Sequence, residues 1–166
     1  MGIARFGAVE TERRLSNRYY LSMHAQAAPD SPACILAETG EVTTYLDLEE
    51  GTNQIAHLFR SLGLEVGDGI VVICQNHSTY YKLFWASHRA GLYFTPISWH
   101  STVDEAQYII ENSEAKACIA AARFAGVAKP IREALSDQLS YLSVLGEIEG
   151  YVGLENAASQ LSHSPV

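Results

Sequence analysis

His100 is the polar residue of this 166-residue chain best placed for chemistry. It lies in Pro96-Ile97-Ser98-Trp99-His100-Ser101-Thr102, between the expected end of a strand and the start of a helix. Ligands of open α/β sheets gather at that edge. An imidazole is only partly charged at neutral pH, and the plain alternative is a surface histidine beside a helix cap. Trp99 can line a channel or pack on the domain. Asn76 and His77 follow another strand end, where they can touch a substrate or satisfy local backbone groups in a turn. Tyr80, Tyr81, Phe84 and Trp85 could stack on bases or hold a hydrophobic ligand, but their helical spacing points to core packing.

Other chemistries lack their patterns. His24, His57, His88 and His163 show no metal-ligand spacing. There is no Gly-x-Ser-x-Gly elbow for a hydrolase serine and no Gly-x-Gly-x-x-Gly turn for a dinucleotide. The net charge of −8 and scattered Lys and Arg argue against nucleic acid as a partner, which needs a basic stripe to displace counterions. Cys34, Cys74 and Cys118 each sit in an apolar run with no Cys-x-x-Cys pair, and read as buried free thiols in a reducing compartment. The first twenty residues carry arginines and acids without an apolar signal core. No apolar run approaches the roughly 20 residues of a membrane span, so the expected location is the cytoplasm.

The elements that must position these residues alternate in type. Periodicity predicts a helix from Asn17 to Ala27, stopped by Pro29. Ala33–Ala37 and Val42–Tyr45 flank a Gly40 turn as a hairpin. Thr44, with Asp47 three residues on, starts a helix whose stripe is Leu48, Ile55, Leu58, Phe59 and Leu62. The unbroken apolar run Ile70–Cys74 suits a strand buried on both faces. A helix from Ser78 to Ala90, apolar almost all round, is expected to be covered on more than one side. A strand at Leu92–Thr95 follows, and then Thr102 and Glu105 form a capping box for a helix reaching Asn112. Strands at Ala117–Ala120 and Leu139–Val144 enclose a helix from Val127 to Leu135. This alternation predicts an α/β fold, a mainly parallel sheet flanked by helices, with an N-terminal β-hairpin.

In order along the chain, these segments resemble the opening of the adenylate-forming (AMP-binding) superfamily, most closely a bacterial acyl-CoA synthetase. The resemblance rests on His24-x4-Pro29-Asp30, Thr44-Tyr45-x2-Leu48, Asn53-Gln54-Ile55-Ala56, Gly63-Leu64-x2-Gly67-Asp68 and the strand after it, then Asn76. It continues through Arg89-Ala90-Gly91, Pro96-Ile97-Ser98, Thr102-x2-Glu105, Tyr108-Ile109-Ile110 and Glu111-Asn112-Ser113-Glu114-Ala115-Lys116. The motifs are architectural: caps, turns and strands. The fold implied is the N-terminal subdomain of the acyl-CoA synthetase fold.

The resemblance implies an enzyme that makes an acyl-adenylate from a carboxylate and ATP with Mg, then passes the acyl group to CoA. It also implies a Ser/Thr/Gly-rich phosphate loop ending in Pro-Lys-Gly and a C-terminal catalytic lysine, neither of which occurs here. The chain itself is therefore expected to be inactive, with no catalytic residue, metal or cofactor of its own. His100 matches the position of a basic residue that approaches the CoA phosphates in some such ligases, with histidine here in place of arginine. Expected partners are the rest of the same enzyme, its small carboxylate substrate and, through exposed apolar surface, other copies of the chain. Residues 1–15 are expected to be a loose arm, 16–149 the subdomain and 150–166 a linker towards the phosphate-loop region. The alternative is a free-standing, non-catalytic α/β binding or interaction module.

Overall fold

The structure is a computed structural model, which describes residues 20–135 and 139–166. The expected N-terminal arm lies outside the described residues. The described residues fall into two compact units, divided between Glu49 and Glu50.

In the first unit, α1 (Leu21–Ala27) precedes the strands β1 (Pro32–Ile35) and β2 (Val42–Thr44), which pair antiparallel as the hairpin expected. Gly40 sits in its turn at φ 73°, a conformation that favours glycine. Cys34, expected to be buried, is only half-buried, because a two-stranded hairpin offers a side chain one neighbouring strand and little cover. His24 stacks on Tyr45 with ring centroids 5.0 Å apart. Thr44 caps α2 (Tyr45–Ser61), which starts here and runs on into the second unit: its Oγ1 accepts from Asp47 N at 3.1 Å, and Asp47 Oδ2 accepts from Thr44 N at 3.0 Å.

The second unit is built on a five-stranded sheet in the order β4-β3-β5-β6-β7, with every pairing parallel. Its strands are β3 (Gly69–Ile73), β4 (Tyr93–Pro96), β5 (Ala115–Ala121), β6 (Ser140–Val144) and β7 (Val152–Gly153). The helices are α3 (Ser78–Ala90), α4 (Val103–Asn112), α5 (Ala125–Leu135) and α6 (Leu154–Ala158), with a 3₁₀ turn at Ala122–Phe124. Side chains alternate along β3. Ile70 and Val72 pack with Phe59 of α2, Leu83 of α3 and Leu154 of α6. Val71 and Ile73 share the opposite core with Ile110 of α4 and Ile131 of α5. All five β3 residues are buried, as a strand inside a helix-covered parallel sheet requires.

Three expectations need correction. Residues 150–158 are no linker: β7 pairs with β6, and Leu154 and Ala158 are buried in the core. A two-residue strand and a five-residue helix are too short to leave a periodic signal. Next, α5 starts at Ala125 and not Val127, because the 3₁₀ turn already winds the chain; Pro130 inside it deprives only the exposed Gly126 carbonyl of a donor. Last, α3 is covered on one side. Leu83, Ala86 and Ala90 face the sheet, whereas Tyr81 and Phe84 are 49% and 37% exposed. Of the aromatic group that spacing assigned to the core, Tyr80 packs against it and Trp85 is half-buried, while Tyr81 and Phe84 form an outward patch; Tyr80 and Phe84 each meet Phe94 edge-to-face.

Candidate functional site

The crossover from β3 through α3 leaves by one face of the sheet, and that from β5 through α5 by the other. This makes the carboxyl ends of β3 and β5 the switch point at which open α/β sheets bind ligands. Three loops meet that edge: residues 74–77, 97–102 and 122–124.

The first loop is occupied structurally. His77 is the N-cap of α3, its Nδ1 accepting from Thr79 N at 3.2 Å, so the ring proton of the neutral form sits on Nε2. Asn76 is exposed. The side-chain oxygen of Gln75 is buried with no hydrogen-bond partner among the described residues.

The second loop is fixed at both ends. Ile97 is buried and its N–H donates to Val72 O at 2.9 Å, continuing the ladder beyond β4. At the far end Thr102 Oγ1 accepts from Glu105 N at 3.3 Å while Glu105 Oε2 accepts from Thr102 N at 2.8 Å, the capping box its sequence predicts. Between these anchors Ser101 N donates to Ser98 O at 2.9 Å, and His100 N donates to Ser98 Oγ at 3.3 Å. The tight turn presents His100 and Trp99 outward.

Their rings form a short stack with the third loop. The centroids of His100 and Trp99 are 3.5 Å apart, and Trp99 lies 6.2 Å from Phe124 at an interplanar angle of 21°. The guanidinium of Arg123 sits over Phe124, 5.4 Å from the centroid. One row therefore carries an imidazole, two aromatic faces and a guanidinium across the ends of β4 and β5. Sequence reasoning found His100 and Trp99 but missed Arg123 and Phe124. The only signal was their place just past the apolar run of β5.

The row is chemically suited to hold an anion beside a planar group. No loop rich in Gly, Ser and Thr is present in the sequence, and its three lysines lie elsewhere. Lys116 pairs with Asp68 at 2.7 Å, Lys129 with Glu149 at 2.9 Å, and Lys82 lies on α3 alongside Gly51. Among the described residues no group of three or more His, Cys, Asp or Glu is arranged to hold a metal. Nor is any of their helices long and apolar enough to cross a membrane.

Cys74 and Cys118 lie in the core and are not nucleophiles. Burial pushes the Cys74 thiol up to about 11, with the Glu155 carboxylate adding to the effect. Burial likewise pushes Cys118 up to about 12, against a smaller opposing hydrogen bond with Tyr151.

Residues 21–160 match the AMP-binding enzyme family, and the chain belongs to it. It is 33% identical over 92 residues to a fatty acid–acyl-carrier-protein ligase of Streptomyces coeruleorubidus, covering 55% of this chain and 17% of the relative. It is 27% identical over 104 residues to a crotonobetaine/carnitine–CoA ligase of Salmonella paratyphi A, covering 63% of this chain and 20% of the relative. In fold it is similar to an anthranilate CoA ligase solved with anthranoyl-AMP, with a TM-score of 0.76 at 18% identity, over 88% of this chain and 29% of that one. The chain thus spans 17% to 20% of the length of these curated relatives.

Proposed function

We propose that this chain is the N-terminal α/β scaffold of an ATP-dependent acyl-CoA synthetase, and that by itself it neither binds ATP tightly nor activates a carboxylate. The observation that carries this reading is the family match over residues 21–160 in a chain whose sequence has no phosphate loop. The parent enzyme would join a small carboxylate to AMP, then transfer the acyl group to CoA, using ATP and Mg. The rest of that enzyme would cover the aromatic patch of α3; without it, copies of the chain associate through the same surface.

Within the parent, the row from His100 to Arg123 would serve the thiol donor. An imidazole and a guanidinium flank two aromatic faces, a combination that suits the phosphates and ring of a CoA nucleotide. The deciding measurement is carboxylate-dependent exchange of pyrophosphate into ATP by the purified 166-residue protein. No exchange is expected, and any carboxylate-dependent exchange sinks the reading. Sequencing the coding region past the Val166 codon gives the complementary test. A Ser/Thr/Gly-rich loop with Pro-Lys-Gly within a few dozen codons supports the reading, and an immediate stop opposes it in favour of a free-standing binding module.

A further inference from the structure

In the part of α2 within the second unit, Glu50, Asn53, Gln54 and His57 stand at positions i, i+3, i+4 and i+7 and so share one face. All four contact the strap formed by residues 159–164. Gln54 Nε2 donates to the carbonyls of Ser159 at 3.4 Å and Leu161 at 3.3 Å. Asn53 Nδ2 donates to His163 O at 2.7 Å, and His57 Nε2 to Ser164 O at 3.0 Å. His163 itself lies between two members of the stripe, with Nδ1 at 3.1 Å from Glu50 Oε2 and Nε2 at 3.1 Å from Gln54 Nε2. With Nδ1–H donating to the carboxylate, Nε2 accepts one amide proton of Gln54, and the other is shared between the Ser159 and Leu161 carbonyls.

Most of these bonds end on main-chain carbonyls, so the helix reads the path of the strap more than its side chains. The reader is fixed in place. Asn53 is 1% exposed, and its Oδ1 accepts from Arg89 Nη1, which turns the amide nitrogen towards His163 O. The strap brings little cohesion of its own. Its internal bonds are local, such as Leu161 N to Ala158 O and Ser164 N to Ser162 Oγ, Leu161 is half-buried, and residues 162–164 are exposed. A segment with few buried apolar contacts opens more readily than a core strand.

We propose that Glu50, Asn53, Gln54 and His57 form a latch that docks residues 159–164 as a unit, releasing them while the parallel sheet stays folded. The inference is independent of the enzymatic reading, because it uses contacts within this chain alone. Amide hydrogen exchange on the 166-residue protein tests it. In the Gln54→Ala/His57→Ala double variant, exchange in a peptide covering 159–164 should accelerate by roughly tenfold or more, as expected when Gln54 and His57 lose all their hydrogen bonds to the strap, with peptides covering β3 and β5 unchanged. Asn53→Asp, which keeps an acceptor for Arg89 but replaces the donor to His163 O, should loosen the strap in the same selective way. Equal strap exchange in the wild type and the double variant would overturn the latch. So would parallel loosening of strap and sheet in the double variant, whose two side chains lie outside the core. Should Asn53→Asp unfold the protein, the double variant still decides.

Discussion

Arg89, in the last turn of α3, donates from Nη1 to the side-chain oxygen of Asn53 on α2, 36 residues earlier in the chain. A guanidinium cannot accept, so this bond fixes which end of the Asn53 amide faces the helix pair and which faces the C-terminal strap. Both residues stand in motifs that read as scaffold in the sequence, and the contact explains why a helix interior holds a buried asparagine.

Arg89→Met removes the charged donor while keeping much of the aliphatic volume. Stability should fall by about 1–3 kcal/mol, the cost of leaving a buried polar group short of its partner. Urea denaturation followed by circular dichroism reads this as a lower midpoint with an unchanged slope. An unchanged midpoint would mean that the bond contributes nothing to the folded state.

The thiols should react in a set order. At pH 8 in native buffer a disulfide reagent should modify Cys34, which is half-buried, well before Cys74 and Cys118, which react only on unfolding. The same burial makes stability depend on alkaline pH. The folded values of about 11 and about 12 lie above the ordinary 9.0, so the unfolded chain ionises first. The contribution of these thiols is complete below pH 9 and is lost as pH rises towards 11–12. Denaturation midpoints between pH 8 and pH 11 should fall, and Cys118→Ala should show a smaller fall.

Tyr81→Lys combined with Phe84→Lys places two charges on the open stripe of α3. Sedimentation velocity should show several-fold weaker self-association than the wild type, with the helical circular dichroism signal kept. A wild type that stays monomeric at every concentration would remove the premise.

His100→Ala, in a longer enzyme that carries this domain, should raise the KM for CoA several-fold and leave the KM for ATP unchanged. Arg123→Ala should act in the same direction, since both groups flank the same pair of aromatic faces. Unaltered CoA kinetics in both variants would confine the row to a structural role.

Most of the longer elements, and the family they spell, were legible in the sequence. Thr102 and Glu105 predict their own capping box because both partners lie within one helical turn. The run from Ile70 to Cys74 predicts a strand covered on both faces because its composition has no polar side to expose. Tertiary structure alone decided the rest. The sheet order, the Trp99–Phe124 stack and the attachment of His163 to Asn53 join residues far apart in the chain, and no periodicity encodes a partner's identity. The aromatic stripe of α3 makes the same point in reverse. Apolar spacing states that a surface can be buried, but only the arrangement of neighbouring elements decides whether anything buries it, and here Tyr81 and Phe84 remain open.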